Sequence, residues 1–326
     1  MKRFLKNIGL FSLLVISGLF IGGLSLPYFY GNDDVANKIK YLSATNQTFS
    51  VAVFGSSRVH EQFLSEVFDT AVRGFNTKTF NFGSQGAGNA ETYYLYENFI
   101  QSLDSGTLSF AILEIQPFTT VTDRNLFKTR SSYYLDLSTF SYMFNFILDV
   151  DRTAIVKGKM LNKLFLSKAF DLVNISKLAY LRKANSYEPV TLSGCIPHFE
   201  KDGKGETDGL RELLTERKEK ATIFNLPSES LSPINIVHKA RLLQLQAISK
   251  KKGVKLYFLI SPKNIDYEEI AGFAFAFKES LIEVANSEKY PLLYDYDYAY
   301  DRGHLNYKGS VLFSRYIAKE FEKLIQ

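Results

Sequence analysis

Apolar residues fall along this chain in two kinds of run. Ser50–Phe54, Lys78–Phe82, Ser109–Ile115, Val254–Ile260 and Leu292–Tyr296 are short, continuous and bounded by turn residues. That is the pattern of strands buried on both faces. Between them, apolar positions recur at helical spacing over Val59–Asp69, Ala90–Leu103, Ile236–Lys252, Tyr267–Asn286 and Ser310–Leu324. Strands alternating with helices predict an α/β fold, a mostly parallel five-stranded sheet with helices on both sides.

Two regions depart from this rhythm. From Ile8 to Tyr30 the chain is apolar, interrupted only by Ser and Gly, with Lys2, Arg3 and Lys6 ahead of it. A run of about 20 such residues is long enough to cross a bilayer. The exit, Gly23-Leu24-Ser25-Leu26-Pro27-Tyr28, offers no small-x-small cleavage pattern, which favours an uncleaved signal anchor over a cleaved signal peptide. Pro27, Tyr28 and Tyr30 then fall at the outer interface, and the basic flank stays in the cytoplasm. The chain after residue 30 is expected outside it. Residues 31–49 are polar and irregular and read as a stalk or first helix. The second departure, about 120–232, is too long for a connection in a plain α/β sheet. It holds the helix-like Phe140–Leu181 and the polar loop Lys201–Glu206. It reads as a largely helical insertion that caps or flanks a site within a domain spanning 50–326.

Composition narrows the function classes. Charged residues make up 22% and hydrophobic residues 46%, an ordinary globular balance and not that of a disordered chain. The net charge of +5 is spread over helix faces such as Lys250-Lys251-Lys252. No nucleic-acid motif accompanies it, so no nucleic-acid partner is expected. A single cysteine, Cys195, excludes an internal disulfide and a multi-cysteine metal site. No paired His/Asp ligand cluster is present either, so neither metal nor cofactor is expected.

The candidate chemistry lies in three segments. Gly55-Ser56-Ser57-Arg58 follows the first strand run and opens a helix. A serine there sits at the carboxyl edge of the sheet, where open α/β sheets bind ligands. Phe82-Gly83-Ser84-Gln85-Gly86-Ala87-Gly88 follows the second run. Its glycines let backbone approach a substrate and aim an N–H at it. Asp301-Arg302-Gly303-His304 precedes the last helix. It puts an imidazole three residues from a carboxylate able to hold its tautomer. His60, His198 and His238 read as surface or satisfied core residues.

Gly55-Ser56-Ser57, Asn81-x-x-x-x-Gly86 and Asp301-x-x-His304-x-Asn306 resemble the first, second and fifth blocks of the SGNH (GDSL-like) hydrolases, over roughly 50–118 and 235–326. The resemblance implies a flavodoxin-like three-layer sandwich, with Ser57 as nucleophile, His304 as base and Asp301 as its orienter. The Ser57 and Gly86 amides would bind the oxyanion. The family's third block, Gly-x-Asn-Asp, is expected near Glu114–Phe118, where no Asn occurs. Gln116 offers a side-chain amide instead. The anchor, the Gly-Ser-Ser form of the first block and the insertion are similar to membrane-anchored members that acylate cell-wall polymers and exopolysaccharides. For this chain they imply an extracytoplasmic serine esterase or O-acyltransferase. Its partners would be an acyl donor, a glycan acceptor, the membrane and a membrane acyl-transfer protein. A non-catalytic glycan-binding or scaffolding module of a polysaccharide assembly system is the other reading.

Overall fold

The structure is a computed structural model that describes residues 1–24, 31–45, 48–104, 106–116, 125–174, 194, 207–225, 234–262 and 267–326. Cys195, His198, the loop 201–206, the membrane exit 25–30 and residues 175–181 lie outside the described residues. The chain divides into two compact units, Met1–Asn37 with Thr122–Glu188, and Lys38–Val121 with Pro189–Gln326.

The first unit is helical among its described residues. Helix α1 (Lys2–Leu24) has no buried residue and is long and apolar enough to cross a membrane. Helix α2 (Asp33–Thr45) occupies most of the expected stalk and runs on into the second unit. Helices α6 (Ser131–Tyr134), α7 (Leu137–Asp149) and α8 (Ala154–Leu172) follow. The long helical pattern from Phe140 breaks between α7 and α8, where Thr153 caps α8 by accepting from the Val156 amide.

The second unit carries a sheet of five parallel strands in the order β2-β1-β3-β4-β5. These are β1 (Val51–Phe54), β2 (Thr79–Asn81), β3 (Phe110–Glu114), β4 (Lys255–Ile260) and β5 (Leu281–Glu283). Val51 stands opposite both Thr79 and Phe110, and Phe110 opposite Lys255. All four β1 residues are buried, as the continuous apolar run requires. Helix α5 (Asn89–Ser102) joins the core through Phe99, whose ring lies 4.5 Å from Phe82 and 5.4 Å from Phe54. Helix α12 (Tyr307–Ile325) does so through Phe321, 5.3 Å from Phe110.

Two expected elements differ. Leu292–Tyr296 is not the fifth strand. Pro291 begins a 3-10 turn there, over Pro291–Tyr294, because its fixed φ suits the first residue of a helical turn and it lacks a ladder donor. The fifth strand lies inside the expected helix Tyr267–Asn286. Helix α11 (Tyr267–Ala276) stops short of it, a turn at Lys278–Ser280 follows, and Leu281–Glu283 pairs with Phe258–Ile260. Ile282 and Val284 are buried while Leu281 and Glu283 are only partly so, a period of two that three residues are too few to announce in sequence. The helix expected over Val59–Asp69 is likewise two, α3 (Ser57–Gln62) and α4 (Ser65–Ala71). At the break, the Phe63 carbonyl accepts from Asn81 Nδ2 at 2.9 Å and the Leu64 amide donates to Ser314 Oγ at 2.8 Å. Side chains from distant segments thus satisfy the groups a continuous helix would pair internally.

His238, on α10 (Ile236–Lys251), is wholly buried between Tyr93, whose hydroxyl is 3.0 Å from its Nε2, and the Phe273 ring at 5.0 Å. Burial pushes its pKa well below the ordinary histidine value. The unfolded chain takes up this proton near pH 6.5 and the folded chain does not, so stability falls as pH drops below about 6.5 by up to ~1.4 kcal/mol per pH unit. Urea unfolding between pH 7 and pH 5 is expected to show this slope, and His238→Gln to remove its share. An unchanged slope in the variant refutes the assignment.

Candidate active site

The turn after β1 is fixed from beneath. The Ser56 amide and hydroxyl both donate to Glu114 Oε2, each at 2.7 Å, and Glu114 ends β3 with its side chain fully buried. Ser56 also caps α3 by accepting from the Arg58 amide at 3.3 Å. A side chain at Gly55 would bring its Cβ to 2.7 Å from Glu114 Oε2, so glycine is required where strand, helix and carboxylate converge. Ser57 is thereby the first residue of α3, at the carboxyl end of β1.

A second strap comes from Asn81, fully buried at the end of β2. Its Nδ2 donates to the Val59 carbonyl at 2.6 Å as well as to Phe63, and its Oδ1 accepts from the Gly83 amide at 2.8 Å. One side chain therefore ties the serine helix to the loop holding Gly86. That loop turns at Gly86 with φ +69°, a region glycine enters without strain. Lys38, also buried, donates to the Gly83 carbonyl at 2.6 Å.

The third segment folds on itself. Asp301 Oδ1 accepts from the Gly303 and His304 amides at 2.6 and 2.7 Å. Both Asp301 oxygens lie 3.0 Å from His304 Nδ1. Asn306 caps α12 by accepting from the Gly309 amide at 3.0 Å, and its Nδ2 donates to the Asp297 carbonyl at 2.8 Å. The imidazole is thus aimed outward from a closed loop, and its Nε2 lies 2.8 Å from Ser57 Oγ. Partial burial pushes the Asp301 pKa up. The His304 hydrogen bond and charge, with the two loop amides, more than offset this and hold the carboxyl well below the ordinary range. At neutral pH Asp301 is ionised and accepts, which assigns the His304 proton to Nδ1 and turns the lone pair of Nε2 toward Ser57.

Glu61 was not foreseen. It lies one turn after Ser57 on α3, and its buried Oε2 is 3.5 Å from His304 Nε2. Gln85 Nε2 holds its Oε1 at 3.1 Å. The imidazole therefore faces a hydroxyl and a second carboxylate from the same helix. The four-residue spacing from Ser57 was the available sequence signal.

Gly86 and Gln116 sit beyond the carboxyl ends of β2 and β3, the two strands that flank β1. The Gln116 backbone is locked by Asn89: its amide donates to Asn89 Oδ1 at 3.1 Å, and its carbonyl accepts from Asn89 Nδ2 at 2.7 Å. Its side-chain Nε2 is buried without a hydrogen-bond partner among the described residues, leaving an amide donor available. At Glu114, where the third block was expected to begin, the structure places an acceptor that anchors the nucleophile turn. No group of three or more His, Cys, Asp or Glu side chains among the described residues is arranged to hold a metal ion.

In chemical terms the arrangement is a hydroxyl, an acceptor imidazole and an ionised carboxylate in series, with a free amide at a neighbouring strand end. Compared with known proteins, the chain matches no family model and aligns significantly with no curated sequence.

Proposed function

We propose that this protein is a serine acyl-transfer enzyme of the SGNH type, with the three-layer fold of that family. It is an esterase or O-acyltransferase acting on an acyl ester of a cell-surface glycan. The observation that carries this reading is the hydrogen-bonded series Ser57–His304–Asp301. Such a series supports an enzyme over a glycan-binding module, which has no use for a base held in one tautomer.

In the reaction, Ser57 Oγ attacks the ester carbonyl and its proton passes to His304 Nε2. Asp301 stabilises the imidazolium, and Glu61 adds a second negative charge beside it. The oxyanion of the tetrahedral intermediate is met by the Ser57 and Gly86 amides and by the Gln116 side-chain amide. Collapse breaks the ester C–O bond, and His304 returns the proton to the departing alcohol. Water or a glycan hydroxyl then loses its proton to His304, attacks the acyl-serine and releases Ser57. Helix α1 anchors the protein with Lys2, Arg3 and Lys6 on the cytoplasmic side, the site facing outward toward an acyl donor and a membrane acyl-transfer partner.

The test is covalent. A fluorophosphonate probe applied to the native protein, followed by peptide mapping, is expected to mark the peptide containing Ser57. Absence of label, or label on another serine, removes Ser57 from the nucleophile's role.

A further inference from the structure

Helix α8 presents apolar residues on its outer side. A surface helix ordinarily turns polar and charged positions to solvent. Helix α9 (Thr207–Lys220) does so: apart from Gly209, every exposed position described on it is polar or charged. On α8 the order is reversed. From Ile155 to Leu172, the exposed positions are apolar or glycine except for Lys159 and Asn162. Ile155 is 73% exposed, Leu172 64% and Phe165 50%, with Leu166 and Phe170 at 41% each between the last two. These five recur at helical spacing and form one stripe, about 25 Å long at 1.5 Å per residue. Two of the helix's lysines turn the other way. Lys157 Nζ donates to the Leu148 carbonyl at 2.6 Å, and Lys168 Nζ donates to the Leu135 carbonyl at 2.6 Å while pairing with Asp171 at 3.3 Å.

The stripe ends beside α1. Asn174, just past the end of α8, is buried and donates through Nδ2 to the Phe20 carbonyl at 3.4 Å. Gly23 makes room for it: a Cβ there would stand 2.6 Å from the Asn174 side chain. Phe20 and Gly23 lie within about 6 Å of the end of α1, the end opposite Lys2, Arg3 and Lys6. With α1 across a bilayer and its basic flank in the cytoplasm, Asn174 marks the depth at which α1 leaves the outer leaflet, and the end of α8 meets the lipid boundary there. Helix α8 also carries four lysines, Lys157, Lys159, Lys163 and Lys168, against the single acidic residue Asp171. A stripe of Phe and Leu flanked by lysines is the composition of a helix that lies in the interface of an anionic bilayer.

We propose that the outer face of α8 lies in the headgroup region of the leaflet through which α1 emerges, so that this helical unit holds the membrane at two places, a span and an interfacial helix. The occupant of the face is the lipid surface. Ile155, Phe165, Leu166, Phe170 and Leu172 enter the acyl boundary, and Lys159 and Lys163, along the edge of the stripe, meet the lipid phosphates. The inference rests on α1 as a membrane span and is independent of the acyl-transfer reading. Two attachments stop the unit from turning about the α1 axis, a motion that a single span allows.

The experiment uses the full chain reconstituted in vesicles of phosphatidylcholine and phosphatidylglycerol. In a Cys195→Ser background, a nitroxide label is attached after Phe165→Cys, Leu172→Cys, Leu13→Cys on α1, or Lys250→Cys on α10 as the aqueous reference. Collision with oxygen, which concentrates in lipid, and with a water-soluble nickel complex reads the depth of each label. The Phe165→Cys and Leu172→Cys labels are expected about 5–10 Å into the boundary between headgroups and acyl chains, the Leu13→Cys label deeper, and the Lys250→Cys label open to nickel. Thermal unfolding confirms that each variant is folded, and Leu166→Cys replaces Phe165→Cys should the latter not fold. Labels on α8 as open to nickel as the Lys250→Cys label overturn the docking. So do labels shielded from both collision partners, which would mean that a second copy of the chain covers the face. A Leu13→Cys label in lipid beside α8 labels in water keeps the anchor and loses the interfacial helix. A Leu13→Cys label in water removes both. Labelling of Ser57 by the fluorophosphonate probe tests the acyl-transfer reading separately from all of these outcomes.

Discussion

Replacing Ser57 with alanine is expected to lower ester turnover by about 10⁴- to 10⁶-fold while leaving the protein folded. The structural cost is small because Ser57 Oγ is part-buried and its hydrogen bond is to the His304 ring. The turn is held by Ser56 and Glu114, which the substitution leaves untouched. The catalytic cost is large because the substitution removes the hydroxyl that His304 Nε2 faces, and the residual rate comes from binding and oxyanion donors alone. Turnover of p-nitrophenyl acetate and the thermal unfolding midpoint check the two halves. A fall in turnover of less than about tenfold in a folded variant would show that the nucleophile lies elsewhere.

Asp301→Asn is expected to reduce kcat by about 10⁴-fold through the wrong tautomer. The Gly303 and His304 amides both donate to Oδ1, so the asparagine oxygen is retained at that position and its NH₂ takes the place of Oδ2. That NH₂ then faces His304 Nδ1 at the 3.0 Å now spanned to Oδ2. It donates there, drives the ring proton to Nε2, and leaves the imidazole unable to accept from Ser57. The imidazolium also loses its closest negative charge, for which Glu61 at 3.5 Å compensates only in part. Combining the substitution with Ser57→Ala is expected to cost little beyond Ser57→Ala alone, since the residues act as one unit. Proton NMR of the His304 ring nitrogens reads the tautomer. A ring still protonated at Nδ1 in a poorly active variant refutes this account of the loss.

Most of the sheet was legible because β1, β2, β3 and β4 are largely buried on both faces, and continuous, mostly apolar runs of five to seven residues have few other uses. The edge strand β5 was not. Leu281–Glu283 is short, lies directly after a helix, and is a strand only because Phe258–Ile260 offers it a ladder. The division of α3 from α4 was hidden for a similar reason. Phe63 and Leu64 leave the helix because Asn81 and Ser314, far away in sequence, satisfy their backbone groups.

The site shows the same division. Asp301 and His304 could be paired from the amino-acid sequence because three residues of loop bring them together by local geometry. Ser57 stood out because a Gly-Ser-Ser turn after a buried strand leaves a hydroxyl at the sheet edge. That Ser57 Oγ comes within 2.8 Å of His304 Nε2 depends on where α12 begins and β1 ends relative to one another, a matter of packing across the sheet. Glu114 as anchor of the turn and Asn89 on Gln116 have no local sequence mark, and the four-residue spacing of Glu61 from Ser57 does not by itself place it beside the imidazole. Each meets its partner across a separation that only the folded sheet closes. Periodicity and turn chemistry act over a few residues and can be read in one dimension. The charges around the nucleophile are set by contacts between segments up to 247 residues apart, and those exist only once the parallel strands have brought their carboxyl ends to one edge.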